Sequence, residues 1–316
     1  MHHGDPLSLG IDVGGTKTHG IVLDADNRVV AELIRPSQTR LSGVRGTILS
    51  VSHSLADQIG RSESSFTSVG VGIPGIVDPR TGRIATAVNL GINDANLREV
   101  LEEDFCVAVR IENDVKATAL GVWFTLRDSA RDICYVNLGT GLSAAAVANG
   151  HLIRGARNGA GEIGHFAAHL DPDLCACGQM GCLEVSVGGS HVNARLAAQG
   201  LELHKLAADP STAARREVRR LSRAVATTIT LVAICYDSER IVVGGGLVRA
   251  ASWLIPAVTE RLREQAETSR FLAGLDAVER LLPLAESVSA PALGAALIGR
   301  MEEVGPAGLE PTTPAV

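Results

Sequence analysis

The chain has 316 residues, more than one hydrophobic core usually serves, so two domains of ordinary size are expected. Hydrophobic residues make up 46% and charged residues 20%, the balance of a soluble globular protein, while 3% aromatic content against 34 glycines suits an α/β enzyme whose backbone approaches its ligands closely. A net charge of −6 excludes a general attraction for nucleic acid or an anionic membrane. The start MHHGDPLSLG lacks a cationic segment leading into an apolar one, and no later apolar run is long enough to span a bilayer. A cytoplasmic location is therefore expected, where the six cysteines favour metal binding or inert thiols over disulfides.

In chain order, LSLGIDV (7–13) reads as a buried strand, Gly14-Gly15-Thr16-Lys17 as a turn and THGIVLD (18–24) as a second strand, with VVAELI returning as a third. Asp12 stands at the tip of the first strand, and the glycines after it can offer backbone N–H groups to a phosphate. The loop is neither a Walker loop nor GxGxxG, and by itself DxGGT is also an ordinary hairpin turn. Val44, Ile48, Val51, Leu55 and Ile59 recur at helical steps over 42–60, and SVGVGI then forms a buried strand ending at Pro74-Gly75. A short helix over 96–105 and the strand VAVRI lead to Glu112-Asn113-Asp114 at a carboxyl-terminal strand end, where ligands of open α/β sheets gather. Asn113 and Asp114 are equally ordinary helix caps.

ICYVNLGTG, LSAAAVA, Asn149-Gly150 and HLIRG repeat the first order of strand, glycine turn, strand, Asx turn, strand. A duplicated meander implies two related domains, with a boundary near 117–132. Residues 165–184 follow, HFAAHLDPDLCACGQMGCLE, with Cys175, Cys177 and Cys182 spaced C-x-C-x4-C after His165. One imidazole and three thiolates can close on a tetrahedral zinc, and Gly178 and Gly181 let the backbone fold back to bring Cys182 in. His169 is a rival fourth ligand, and three buried thiols are the metal-free alternative. Glu162 and Glu184 flank the cluster, so a metal there would place two carboxylates as well. Farther on, Arg215, Arg216, Arg219, Arg220 and Arg223 line one face of a helix over 213–236 and Val218, Leu221, Val225, Ile229 and Val232 the other, a solvated face over a packed one. RIVVGGGL ends a strand in three glycines that would let a flat ligand lie against the backbone; helices over 256–266 and 293–302 precede a Pro-rich tail expected to be disordered.

Together IDVGGTK, IEND, NLGTG, GEIGH, CxCGxxGCLE and VVGGGL, in this order, resemble the repressor, open-reading-frame, kinase (ROK) family from about residue 7 to 302. The resemblance implies an α/β, actin-like fold of two ribonuclease-H-like halves, with ATP and a sugar in the cleft between them. The halves would be 7–117, completed by the helix 293–302, and 118–292 with the zinc knuckle, leaving 303–316 as the tail. It implies a kinase phosphorylating a hexose with ATP and magnesium, glucose first and an N-acetylated amino sugar as the alternative, in a homodimer or homotetramer. Carried over, Asp12, Gly14, Gly15, Thr16 and Lys17 form the first phosphate motif, Gly139, Thr140 and Gly141 the second, and Gly244, Gly245 and Gly246 the adenosine motif. Asn113, Asp114, Glu162, His165 and Glu184 match the sugar ligands, with Gly75 and Asn89 on the facing loop. Asp114 would be the base. His165 would use one ring nitrogen on zinc, beside Cys175, Cys177 and Cys182, and the other on a sugar hydroxyl.

Two stretches depart from the common pattern: Leu142-Ser143-Ala144 replaces a glycine-rich continuation after GTG, and Val115-Lys116-Ala117 replaces Ala-Asn-Ala after Asn-Asp. A sugar-responsive repressor of the same family is the competing class. Such regulators carry a helix-turn-helix segment ahead of DxGGT, and only six residues precede the first strand here, which with the acidic charge is an expectation against DNA binding. A silent sugar-binding protein is the third class, opposed by the intact Asp114 and phosphate motifs.

Overall fold

The computed structural model describes residues 6–285 and 289–301, so the tail expected over 303–316 lies outside it. Contacts divide the chain into two units, one running to Asn113 and resuming at Ala295, the other Asp114–Gly294.

The first unit opens on the expected meander: β1 (Leu7–Val13), β2 (Lys17–Leu23) and β3 (Val29–Pro36). Helix α1 (Arg40–Gln58) buries Val44, Ile48, Val51 and Leu55, the stripe its periodicity forecast. Strand β4 (Phe66–Ile73) returns parallel to β1. Three short strands, β5 (Ile76–Asp78), β6 (Arg83–Ala87) and β7 (Ile92–Asn96), then form a separate antiparallel sheet. None exceeds five residues, and their apolar alternation is too brief to mark them as strands in the sequence. Asn96 caps α2 (Leu97–Phe105), its side-chain oxygen accepting the Glu99 N–H at 3.3 Å. Strand β8 (Val109–Asn113) completes the order β3-β2-β1-β4-β8.

The second unit begins with α3 (Asp114–Leu126), which packs on β9 (Ile133–Leu138) and β10 (Leu142–Ala148). The contacts thus change units at Asn113, ahead of the 117–132 stretch where the repeat alone would divide the chain. Strand β11 has only two residues, His151–Leu152, because Gly155 at φ 76 and Asn158 at φ 59 turn the chain away from the sheet. Past the cysteine stretch come α4 (Leu183–Val187), α5 (Gly189–Ala197) and α6 (Thr212–Tyr236), then β12 (Arg240–Gly244), α7 (Gly246–Ala250), α8 (Leu254–Thr268), α9 (Arg270–Gly274), α10 (Ala277–Arg280) and β13 (Leu281–Pro283). The sheet order β11-β10-β9-β12-β13 repeats the first, an antiparallel meander extended by parallel strands. On α6 Leu221, Val225, Ile229 and Val232 are buried while Arg219 and Arg223 are exposed. Arg220 departs from the solvated stripe: it pairs with Asp171 at 2.9 Å and Asp173 at 3.3 Å, fastening the cysteine loop to the helix.

Helix α11 (Ala290–Arg300) carries residues of both units. In the first, Arg300 donates to Ser8 Oγ, Asn27 Oδ1 and the Asp24 carbonyl, tying the helix end to the meander. Among the described residues no helix is long and apolar enough to cross a membrane.

Candidate functional site

Asp12, Gly72 and Glu112 stand level across the parallel strands β1, β4 and β8, so the chain leaves all three at one edge of the first sheet. There the Gly14 N–H donates to the Lys17 carbonyl at 2.9 Å, closing the hairpin turn. Asn89 lies beside that turn, its Cβ 3.4 Å from where a Gly15 side chain would begin. Gly75 and Asn113 meet as well: the Asn113 amide donates to the Gly75 carbonyl at 3.2 Å. The Gly14–Lys17 turn and the residues expected on the facing loop, Gly75 and Asn89, therefore share one edge. Glu112, for which the sequence motifs imply no role, is buried, and its carboxylate accepts the Asn113 N–H at 3.0 Å.

In the second unit Asp114 opens α3, and its carboxylate accepts the Val115 N–H at 2.9 Å. That bond reaches the next residue, not the second or third N–H of the helix, so Asp114 does not serve as a conventional cap. Burial pushes its pKa up to about 6; the backbone N–H groups oppose the shift, Glu162 adds to it and Lys116 lessens it. Glu162 is exposed at the entry of a single 3-10 turn, Ile163–His165. A carboxylate poised near neutrality beside a second one is an arrangement suited to proton transfer.

The cysteine stretch closes as its spacing foretold. Donor atoms of His165, Cys175, Cys177 and Cys182 all lie within 4.8 Å of one another, with His165 Nδ1 3.8 Å from Cys175 Sγ and Cys177 Sγ 3.7 Å from Cys182 Sγ. His169, the rival ligand, stands outside this cluster among the described residues; it is held at φ 49 with its N–H on the Gly181 carbonyl at 3.0 Å. Gly178 and Gly181 take φ 90 and φ 75, the left-handed backbone that folds Cys182 back. Burial pushes the Cys175 thiol up to about 11, so its thiolate requires a cation for company. Three sulfurs and one imidazole at tetrahedral range fit zinc. Nδ1 faces the sulfurs, which leaves Nε2 of His165 as the nitrogen for another partner.

The knuckle runs straight into α4, and this carries Glu184 to the second glycine turn. Its carboxylate accepts the Leu142 N–H at 3.1 Å. Gly141 makes room for it: a Cβ there would stand 2.5 Å from Glu184 Oε2. The turn is held from below by the Gly189 N–H on the Gly139 carbonyl at 2.9 Å and the Ser190 N–H on the Thr140 carbonyl at 3.0 Å. Leu142, the departure from a glycine-rich continuation, is thus a buried start to β10 whose backbone N–H orients Glu184.

Strands β9 and β12 are parallel neighbours, so Gly139-Thr140-Gly141 and Gly244-Gly245-Gly246 leave the second sheet at the same end. Gly245, at φ 103, presses against the Leu138 backbone, where a Cβ would come within 2.3 Å of the carbonyl oxygen. A pocket of about 510 Å³ opens there, lined by Gly139, Thr140, Gly246, Asn193 and His204 among others. Its volume is that of a small-molecule site. Asn193 and His204 carry no local motif, and only the packing of α5 and the loop after it brings them to the glycines.

Two sheets of one repeated order, each ending in a glycine turn at the carboxyl ends of its parallel strands, define the actin-like ATPase fold. The chain belongs to the ROK family, whose model matches residues 8–301. It is 30% identical over 288 residues to the glucokinase of Halalkalibacterium halodurans, covering 83% of this chain and 87% of that one. It is 26% identical over 290 residues to the xylose repressor of Caldicellulosiruptor bescii, covering 84% of this chain and 71% of the repressor. Among solved structures, the ROK hexokinase of Thermus thermophilus is 27% identical with a TM-score of 0.79, covering 93% of this chain and 97% of that one. The ROK glucokinase of Streptomyces griseus, solved with glucose and AMPPNP, is 25% identical with a TM-score of 0.73 over 93% of this chain and 99% of that one.

Proposed function

We propose that the protein is an ATP-dependent sugar kinase that transfers the γ-phosphate of ATP to a hydroxyl of a hexose, the 6-hydroxyl of glucose being the first choice. The observation that carries this reading is the Asp114 carboxylate, desolvated to a pKa of about 6 at the head of α3. In that state it is ionised at neutral pH yet basic enough to take a proton from an attacking hydroxyl. Phosphoryl transfer asks the rest of the protein for positioning and charge. Asn113, Glu162, the Nε2 of His165 and Glu184 would hold the sugar hydroxyls, with Gly75 and Asn89 assisting. The turns Gly14–Lys17 and Gly139–Gly141 would offer N–H groups to the phosphates, and the pocket beside Gly246 would take the adenosine. Asp12 is the carboxylate for magnesium, which supplies charge neutralisation at the phosphates. His165, Cys175, Cys177 and Cys182 would hold a structural zinc, which would fix the His165 ring and, through α4, the approach of Glu184.

Release of ADP in a coupled assay, measured with glucose, mannose, N-acetylglucosamine and N-acetylmannosamine, tests the reading. Turnover with glucose above the others is expected. Turnover only with an acetylated sugar would move the substrate, and sugar binding without ADP release from any of them would favour the sensor class to which the repressor relatives belong.

A further inference from the structure

Lys116 lies two residues beyond Asp114 in the first turn of α3 and is 4% exposed. A buried ammonium is costly unless its hydrogens are taken up and its charge is answered nearby. Its Nζ donates to the main-chain carbonyl of Asn158 at 2.8 Å. Asn158 sits at φ 59, at the tip of the loop that leaves β11 and returns to the sheet at Gly161. The loop is tied internally by the Ala160 N–H on the Arg154 carbonyl at 3.1 Å, and at its far end by the Ala144 N–H on the Gly161 carbonyl at 2.8 Å. The next residue is Glu162. Around Glu162 the loop is anchored to the rest of the second unit at Gly161, by the β10 backbone and the Tyr236 hydroxyl, and at its tip by the Lys116 ammonium on Asn158.

We infer that Lys116 is a positioning residue that clamps the 154–161 loop to α3 and so holds Glu162 at the sugar and at a set distance from Asp114. This rests on the kinase reading for its consequences in turnover, but the clamp itself is a property of the fold. The ammonium does two things from one place. It fixes the loop through a charge-assisted hydrogen bond, about twice as strong as a neutral one. Its charge also lies close enough to Asp114 to favour the ionised carboxylate against the opposing influence of Glu162.

The test compares Lys116→Met, which keeps length and apolar stem, with Lys116→Arg, which keeps the charge and the donors. In Lys116→Met, hydrogen exchange of the amides over 154–162 is expected to rise while that of β9 and β12 stays put. The KM for sugar is expected to rise about tenfold, the loss of one hydrogen bond to a charged group, with the KM for ATP unchanged. The acid limb of kcat/KM is expected to move to higher pH, and Lys116→Arg is expected to restore part of both effects. Unaltered loop exchange in Lys116→Met overturns the clamp. A uniform loss of thermal stability with unchanged sugar KM and pH profile also overturns it, since Lys116 would then serve the fold alone. If wild type phosphorylates no sugar, the kinase reading falls by itself, and loop exchange with sugar affinity from calorimetry still decides the clamp.

Discussion

The carboxylate of Glu184 accepts the backbone N–H of Leu142 at 3.1 Å, which joins the first turn of α4, just past the cysteine cluster, to the strand that follows the second glycine turn. One bond thereby sets the orientation of a proposed sugar ligand and the shape of a proposed phosphate loop. Gly141 is the residue that permits it, because a methyl group there would stand 2.5 Å from Glu184 Oε2. Gly141→Ala is expected to push Glu184 aside and to lower kcat/KM for sugar by one to two orders of magnitude, about 1.4 kcal/mol for each tenfold. Steady-state kinetics check it. A variant with wild-type kcat/KM would mean that Glu184 does not touch the substrate.

The purified protein is expected to hold close to one zinc per chain by elemental analysis. Cys182→Ser should release it and lower the melting temperature, because the free energy of binding a structural metal is part of that of folding. His169→Ala should retain the metal, since His169 lies outside the donor cluster among the described residues. Metal lost from His169→Ala but kept by His165→Ala would show the ligand set to be wrong.

Asp114→Asn separates catalysis from stability. Removing a general base typically lowers rate by 10²–10⁴-fold, so kcat should drop by about that factor while calorimetry still records sugar binding. The pH dependence has a defined sign. A carboxylate whose pKa is raised to about 6 on folding favours its protonated form in the native state, so its ionisation costs stability above that pH and the cost fades as pH falls through 6 towards 4. The Asn variant should therefore be more stable than wild type at pH 8, by on the order of 2 kcal/mol, and the gap should close by pH 4. In wild type, kcat/KM should fall as pH drops below about 6. Melting curves of both proteins across this range, together with a pH–rate profile, would expose an error in either half.

Ala250 is exposed at the end of α7 and lines the 510 Å³ pocket beside the glycine turns. Ala250→Trp should fill much of that space and raise the KM for ATP at least tenfold, leaving sugar affinity near wild type. An unchanged KM for ATP would place the adenosine elsewhere.

Much of this protein was determined by local chemistry and is legible in one dimension. Val44, Ile48, Val51 and Leu55 step along one face of α1 because a helix repeats every 3.6 residues, and a sequence carries that period openly. The same holds for the duplicated meander, whose strands are joined by turns of a few residues, and for the knuckle, where His165 and three cysteines come together within a span of eighteen residues folded back at two glycines. What the sequence left undecided depends on contacts between distant segments. Nothing local to His165 or His169 chooses between them as ligands; the choice follows from the bridge that pairs Ala167 with Cys182 and the left-handed turn at His169. The short sheet of β5, β6 and β7 needs its neighbours for definition, since strands of three to five residues have little pattern of their own. The pKa of Asp114, the carbonyl that receives Lys116 and the convergence of Asn193 and His204 on Gly246 were decided by tertiary structure alone. Burial and charge act through space, and residues that are neighbours in space are dispersed along the chain.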